Sequence, residues 1–156
     1  MLAVSNSSPL IALEKIGRLD LLRELFSLVV VPPAVAIETA PTVKLPTWIH
    51  VRQLGLGLDP KTIRPSLGPG ESEAISLSLE LRPGRLILDD EPARRLAVSL
   101  QLQVIGTLGV LLAAKRRGLL PNLKAEMDSL LATGFFVGSE LYAELLKLAG
   151  EASLEN

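Results

Sequence analysis

Cysteine is absent from this 156-residue chain, and histidine occurs once, at His50. Without cysteine there is no disulfide and no thiolate metal centre, and a single imidazole cannot build the histidine clusters of catalytic zinc sites. The chain also has no GxSxG motif, and His50 lies in a region of irregular pattern, so no nucleophile is paired with a base. Zinc, thiol and serine-triad chemistry are therefore not expected.

Long apolar runs are also missing, although 48% of the residues are hydrophobic. Charges such as Glu14, Lys15 and Arg18 interrupt each apolar stretch before it reaches the roughly 18 residues that a membrane-spanning helix requires. The N-terminal segment has neither the basic start nor the small-residue cleavage site of a secretory signal. We therefore expect a cytoplasmic protein that does not associate with membranes.

A strong net charge is lacking as well, since the formal charge at pH 7 is −1. Such a chain has no general electrostatic attraction to nucleic acid, and contacts to phosphate would depend on local basic groups. Arg94 and Arg95 are the candidates for such contacts, although charges on helix faces are usually just solvated. Aromatic residues make up only 3% of the chain, so no platform for stacking bases is evident.

What the chain does contain is a regular alternation of short apolar runs and amphipathic segments. This alternation predicts a three-layer α/β/α sandwich of the Rossmann-like type, with a mostly parallel sheet covered on both faces. The length suits one domain over residues 1–156, with an irregular excursion at about residues 40–69. Strands are predicted at residues 2–5, 28–31, 85–88 and 103–105, and residues 48–54 can form another.

Helices are predicted between these strands from apolar spacing and from capping residues. Ser7 or Ser8 can cap the first helix and Pro9 suits its first turn. Acidic residues open the helix that begins at Glu71, as the helix dipole prefers. The predicted helical segments are residues 9–16, 19–26, 33–38, 71–81, 92–100, 110–117, 123–132 and 139–148.

Acidic residues stand where predicted strands end or predicted helices begin. In an α/β fold, the crevice outside the carboxyl ends of the strands is where ligands bind. If the three central strands are neighbours, a set of oxygen-bearing side chains converges there, and crowded carboxylates repel unless a cation neutralises them. Oxygen ligands favour Mg²⁺ or Mn²⁺. The predicted metal ligands are Asn6, Glu38, Glu71, Asp89 and Asp90.

Each of these residues also has a purely structural interpretation. Glu71 can be an ordinary first-turn acid, the Asp89-Asp90 pair before Pro92 an N-cap and Glu38 a solvated residue at a helix end. Thr107, in a strand-to-helix turn, can offer its hydroxyl to a phosphate or can simply belong to a tight turn. It is the convergence of the set that favours a metal site. The candidates for substrate contact are Ser8, Thr107, Arg94 and Arg95.

Five stretches of the chain resemble the PIN-like nucleases, and in particular the short prokaryotic branch related to VapC toxins. They are SNSSPLIALEKIGRLDLL, VVVPPAVAIE, GPGESEAISLSLEL, LILDDEPARRLA and GTLGVLLAAKRRGLL. The resemblance implies acidic residues after the first strand, after the second strand, at the start of the central helix and after the next strand. It transfers to Asn6, Glu38, Glu71 and Asp90, with Asp89 as the neighbouring candidate for the last place.

This resemblance implies a Mg²⁺- or Mn²⁺-dependent endoribonuclease that hydrolyses RNA with metal-activated water. It further implies the toxin of a toxin–antitoxin pair, with a small antitoxin protein as partner and a homodimer supported by apolar helix faces around Leu19 to Phe26. Asn6 stands where the family usually has Asp, so it can ligate a metal but contributes no charge and cannot act as a base.

Two alternatives remain open at this point. Asn6 motivates the first, a catalytically silent PIN-like module that binds RNA or a protein partner. The second is a small-molecule α/β enzyme, which is disfavoured because the chain has no glycine-rich phosphate loop.

Overall fold

The computed structural model describes residues 1–55 and 67–152. Residues 56–66 belong to the expected excursion, and with residues 153–156 they lie outside the described part of the chain. The predicted strand over residues 48–54 is present as three residues, Ile49–Val51. The excursion is therefore partly regular where it is described.

The strands form a single five-stranded sheet in the order β3-β2-β1-β4-β5, and every strand pair is parallel. Strand β1 thus lies between β2 and β4, so these three strands are neighbours. Because parallel strands share a direction, their carboxyl ends lie at one edge of the sheet. The strands are β1 (Leu2–Ser5), β2 (Leu28–Val31), β3 (Ile49–Val51), β4 (Arg85–Ile87) and β5 (Val104–Ile105).

Eight helices occur in the described residues: α1 (Ser7–Lys15), α2 (Leu21–Leu25), α3 (Pro33–Thr39), α4 (Pro69–Leu81), α5 (Glu91–Ser99), α6 (Thr107–Arg116), α7 (Leu123–Ala132) and α8 (Ser139–Leu148). Helix α6 begins earlier than predicted because Gly106 is its N-cap. Helix α2 is shorter than predicted because Phe26 is already extended. No helix in the described ranges is long and apolar enough to cross a membrane.

Alternate residues of the central strands point to opposite faces of the sheet, as strand geometry requires. Ala3 and Val29 pack into a core with side chains of α1, α2, α6, α7 and α8. Val4 and Val30 pack into a second core with side chains of α4 and α5. Helices thus cover both faces, which confirms the predicted three-layer α/β/α sandwich.

One expected surface is not available for association. The apolar face around Leu19 to Phe26, which we expected to support a homodimer, packs inside the chain against α6 and β2. Its members Leu19, Leu21, Leu22 and Phe26 are each at most 7% exposed. The choice of this surface was wrong because the apolar face of α2 is already covered by α6 and β2 of the same chain. Homodimer formation through another surface stays a prediction.

Candidate metal centre

The carboxyl ends of β1, β2 and β4 bring the predicted residues to one edge of the sheet. Asn6 directly follows β1, and its backbone N–H donates to Ile87 O of β4 at 2.9 Å. Glu38 lies on α3, which follows β2, while Asp89 and Asp90 lie between β4 and α5. Glu71 reaches the same edge from the third position of α4. The order and direction of the strands therefore bring residues from four separate sequence motifs to the same edge of the sheet.

Two oxygen atoms in this cluster are buried without a hydrogen-bond partner in the described part of the chain. They are Asn6 Oδ1 and Glu71 Oε2. The Asn6 residue is only 4% exposed, so its amide has little access to bulk water. Buried polar atoms are nearly always hydrogen-bonded, and the exceptions call for an explanation such as an ion.

The carboxyl group of Glu71 is electrostatically unfavourable in its charged form. Burial raises the pKa of Glu71, and Asp90 raises it further, because the two carboxyl groups can share a hydrogen bond only when one is protonated and repel each other when both are charged; the charge of Glu38 makes a smaller contribution in the same direction. A hydrogen bond from Gly68 N–H at 3.3 Å opposes this rise. The three carboxylates are therefore close enough to repel one another, which a bound cation would relieve.

Glu38 is held by two donors from neighbouring elements. Its Oε2 accepts from Ser7 Oγ at 2.7 Å and its Oε1 accepts from Gly70 N–H at 2.9 Å. A Cβ atom at position 70 would collide with the Glu38 carboxylate. Glycine at this position therefore permits a close approach of α4 to Glu38.

Asp90 is both an N-cap and a member of the cluster. Its Oδ2 accepts from Ala93 N–H at 3.1 Å, which caps α5. The same side chain contacts Glu71. The capping interpretation from the sequence is thus realised in the structure, and it holds the carboxylate beside Glu71.

The neighbouring Asp89 points elsewhere, toward the start of α6. Its Oδ1 accepts from Thr107 N–H at 2.8 Å and its Oδ2 from Thr107 Oγ1 at 2.6 Å. Thr107 is 0% exposed, so its hydroxyl is turned into the protein. The two adjacent acids therefore have different surroundings, Asp90 beside Glu71 and Asp89 beside Thr107.

The family model of the PIN domain matches residues 2–151. The chain belongs to the PIN domain family. This membership confirms the PIN-like fold predicted from the five sequence stretches, which is a nuclease-type fold. Comparisons with curated proteins and with solved structures returned no match.

The predicted substrate-contacting residues of this PIN domain differ in how accessible they are. Arg94 Nη1 donates to Leu88 O at 3.0 Å, so its guanidinium is anchored at the end of β4. Arg95 is exposed, and its Nε lies 4.0 Å from the Glu91 carboxylate. Ser8 is exposed and borders a cavity of about 280 Å³ together with Lys15 and Asp89. Arg95 and Ser8 are thus accessible, whereas Arg94 is partly committed to the backbone.

A larger groove of about 750 Å³ lies on the other side of Asp89. It is bordered by Arg94 and by mostly apolar side chains of β5, α8 and the segment before α8, among them Ile105, Phe135, Phe136 and Leu141. Phe136 is 86% exposed. The sequence did not predict this apolar surface beside the acidic cluster, because its members lie far apart along the chain.

The donor atoms of the cluster fit a hard divalent cation, since all are carboxylate or amide oxygens. Within residues 1–55 and 67–152, however, no three Asp, Glu or His side chains are arranged to hold a metal ion. Glu38 is drawn toward Ser7 and Gly70, and Asp90 toward Ala93. A metal at this edge would therefore use the Asn6 amide or require rotation of a carboxylate.

Sequence reasoning missed the residues that orient Glu38. The sequence predicts the Ser7 hydroxyl only as a helix cap, and it predicts no role for Gly70. Neither role has a local sequence signal, because the partner of each lies more than 30 positions away in the chain.

Proposed function

We propose that this PIN domain is a Mg²⁺- or Mn²⁺-dependent endoribonuclease whose metal is held at the carboxyl edge of the sheet. One observation carries the proposal: Asn6 Oδ1 and Glu71 Oε2 are buried oxygens at this edge with no hydrogen-bond partner among the described residues, and Glu71 lies near the carboxylates of Asp90 and Glu38. A divalent cation would satisfy both oxygens and would neutralise the repulsion between the acids.

Asn6, Glu38, Glu71 and Asp90 would hold the metal ion. When bound, such an ion can activate water and stabilise charge on a phosphodiester. Asn6 adds an oxygen atom without charge, so the three carboxylates must supply all of the negative charge around the ion. Asp89 was predicted to bind the metal directly. In this proposal it instead holds the segment between β4 and α5 in place, because both of its oxygens accept hydrogen bonds from Thr107.

The substrate in this proposal is RNA. Ser8 is exposed and borders one cavity with Asp89, Arg94 borders the larger groove with Asp89, and Arg95 is exposed on α5. Contacts from such residues to phosphates would position the strand without reading its sequence. The resemblance to VapC toxins further supports a toxin role, with a small antitoxin that blocks this edge. An open reading frame for a small DNA-binding protein beside the gene would support that part of the proposal.

The test is cleavage of a mixed RNA pool by the purified protein with and without Mn²⁺. Wild type should cleave only with the metal, and Glu71→Gln should lose that cleavage because its side chain cannot carry the charge. Glu80→Gln is the matched control, since Glu80 lies on the same helix but binds Gly55 N–H away from the cluster. Cleavage that survives in Glu71→Gln would identify a contaminating nuclease or a different site.

A second candidate function is a catalytically silent PIN module that binds RNA or a protein partner. Asn6 favours it, because the position after β1 carries no charge and cannot accept a proton. This alternative predicts a folded protein without Mn²⁺ binding in calorimetry and without RNA cleavage. Binding of Mn²⁺ by wild type and not by Glu71→Gln would contradict it.

A further inference from the structure

Helices α3 and α4 are joined by two hydrogen bonds that run in opposite directions. Glu38, near the end of α3, accepts from Gly70 N–H at the start of α4 at 2.9 Å. Glu73, in the first turns of α4, accepts from Ala34 N–H at the start of α3 at 3.0 Å. Each helix thus supplies a carboxylate to the second residue of the other.

Both amide groups belong to first turns, where backbone N–H groups have no partner within the helix. A carboxylate at such a position also interacts favourably with the positive end of the helix dipole. The two bonds therefore fix how α3 lies against α4. Because Glu38 and Glu71 lie on these two helices, this arrangement sets the position of one carboxylate relative to the other.

Helix α3 depends on such contacts more than the longer helices do. It has seven residues, and isolated helices of this length are not stable in water. The Glu38 side chain is itself exposed, so burial does little to restrain it. Its orientation must come from the hydrogen bonds of Ser7 and Gly70 and from the placement of α3.

We propose that Glu73 is a positioning residue for the candidate metal centre. By holding the first turn of α3 against α4, Glu73 keeps Glu38 within reach of Gly70 and so facing Glu71 and Asp90. Its effect on metal binding rests on the proposed function, whereas its effect on Glu38 does not. Glu73 contacts no ligand in this role and acts only through the α3–α4 pair.

The test compares four variants of the full chain with wild type. Glu73→Ala removes the acceptor, Glu73→Gln keeps a carbonyl oxygen at the same place, and Glu73→Asp retains the charge on a shorter side chain that cannot span to Ala34. Glu80→Ala is the matched control, because it also removes a carboxylate of α4 that accepts from a backbone amide, that of Gly55. The Asp variant keeps the test decisive where the Ala variant does not fold.

The first readout is hydrogen exchange at the Gly70 amide, measured by NMR without metal. Glu73→Ala and Glu73→Asp should exchange this amide roughly tenfold faster or more, as expected when the hydrogen bond from Gly70 N–H to the Glu38 carboxylate is lost. Glu73→Gln and Glu80→Ala should remain close to wild type. Unchanged exchange at Gly70 in Glu73→Ala, or an equal acceleration at all amides, would overturn the proposal in favour of no role or a merely stabilising one.

The second readout is Mn²⁺ affinity by calorimetry. Loss of a group that orients a metal ligand typically costs 10–100-fold in affinity, so Glu73→Ala and Glu73→Asp should bind about tenfold more weakly or worse. Equal affinity in Glu73→Ala and wild type would overturn the link to the metal centre. Absence of Mn²⁺ binding by wild type, with Gly70 exchange still dependent on Glu73, would instead overturn the proposed function and leave the positioning of Glu38 established.

Discussion

The two sides of the carboxyl edge treat similar acidic side chains in opposite ways. On the side of α6, both oxygens of Asp89 accept hydrogen bonds from Thr107. On the side of α4, Glu71 keeps one buried oxygen without a partner in the described residues and lies beside other carboxylates. The first arrangement stabilises the fold, because the protein itself satisfies the charge.

The second arrangement costs stability in the absence of a ligand, since buried and unpaired polar groups are unfavourable. Such a cost is common at functional sites, where the protein leaves groups available for a ligand. A functional site at a sheet edge is therefore indicated less by the number of acidic residues there than by which of them lack hydrogen-bond partners. Substitutions on the two sides of this edge should have opposite effects on stability.

The largest effect is expected for Glu71→Gln in the RNA cleavage assay. Loss of its charge should reduce Mn²⁺-dependent cleavage by about 100-fold or more, the order seen when a group that stabilises reacting charge is removed. Urea unfolding without metal should show stability equal to or above that of wild type, because repulsion with Asp90 and Glu38 is relieved. Lower stability of this variant would contradict the conclusion that Glu71 destabilises the metal-free fold.

Asp89→Ala should show the opposite behaviour. It leaves the Thr107 N–H and the buried Thr107 hydroxyl without their acceptor, which should lower the free energy of unfolding by about 2 kcal/mol. Asp20→Ala is the control, because Asp20 precedes α2 but makes no side-chain capping bond, and it should change stability by under about 0.5 kcal/mol. Similar urea midpoints for the two variants would contradict the assignment of Asp89 to the fold.

Gly70→Ala tests whether close approach of α4 is required. The added methyl group collides with the Glu38 carboxylate, so the carboxylate must turn away and Mn²⁺ affinity should fall about tenfold in calorimetry. Gly138→Ala is the matched control, because Gly138 precedes α8 with an ordinary φ of −65° and has open space at its Cβ position. Equal Mn²⁺ affinity in both variants would show that Glu38 does not depend on position 70.

The smallest effect expected is a pH dependence of stability in metal-free protein. The folded pKa of Glu71 is raised by burial and by its acidic neighbours, so the folded state binds a proton more readily than the unfolded state. Stability should therefore be higher at low pH and should decline as the pH rises from the ordinary carboxyl range through the raised pKa. Urea unfolding across this range should show the slope in wild type and a smaller one in Glu71→Gln, whereas equal slopes would assign it to other groups.

The fold was predictable from local patterns. Strands β1 and β2 and helices α7 and α8 have the predicted bounds, because apolar periodicity and capping residues act within a few positions. Asn122, for example, caps α7 by accepting from Ala125 N–H at 2.9 Å. The connection rule for parallel sheets also predicted that most strand carboxyl ends share one edge. The order of the strands was not predicted, and it is this order that brings Asn6, Glu38, Glu71 and Asp90 to that edge.

What only the tertiary structure decided is which partner each of these groups has. Asp89 and Asp90 are adjacent and chemically identical. Thr107, at the start of α6, donates hydrogen bonds to Asp89, whereas Asp90 lies beside Glu71. The apolar stripe of α2 shows the same limit, since periodicity reveals an apolar face but does not tell whether another chain or the same chain covers it. Local sequence determines secondary structure through short-range sterics and capping, whereas hydrogen-bond partners depend on contacts between residues far apart in the chain.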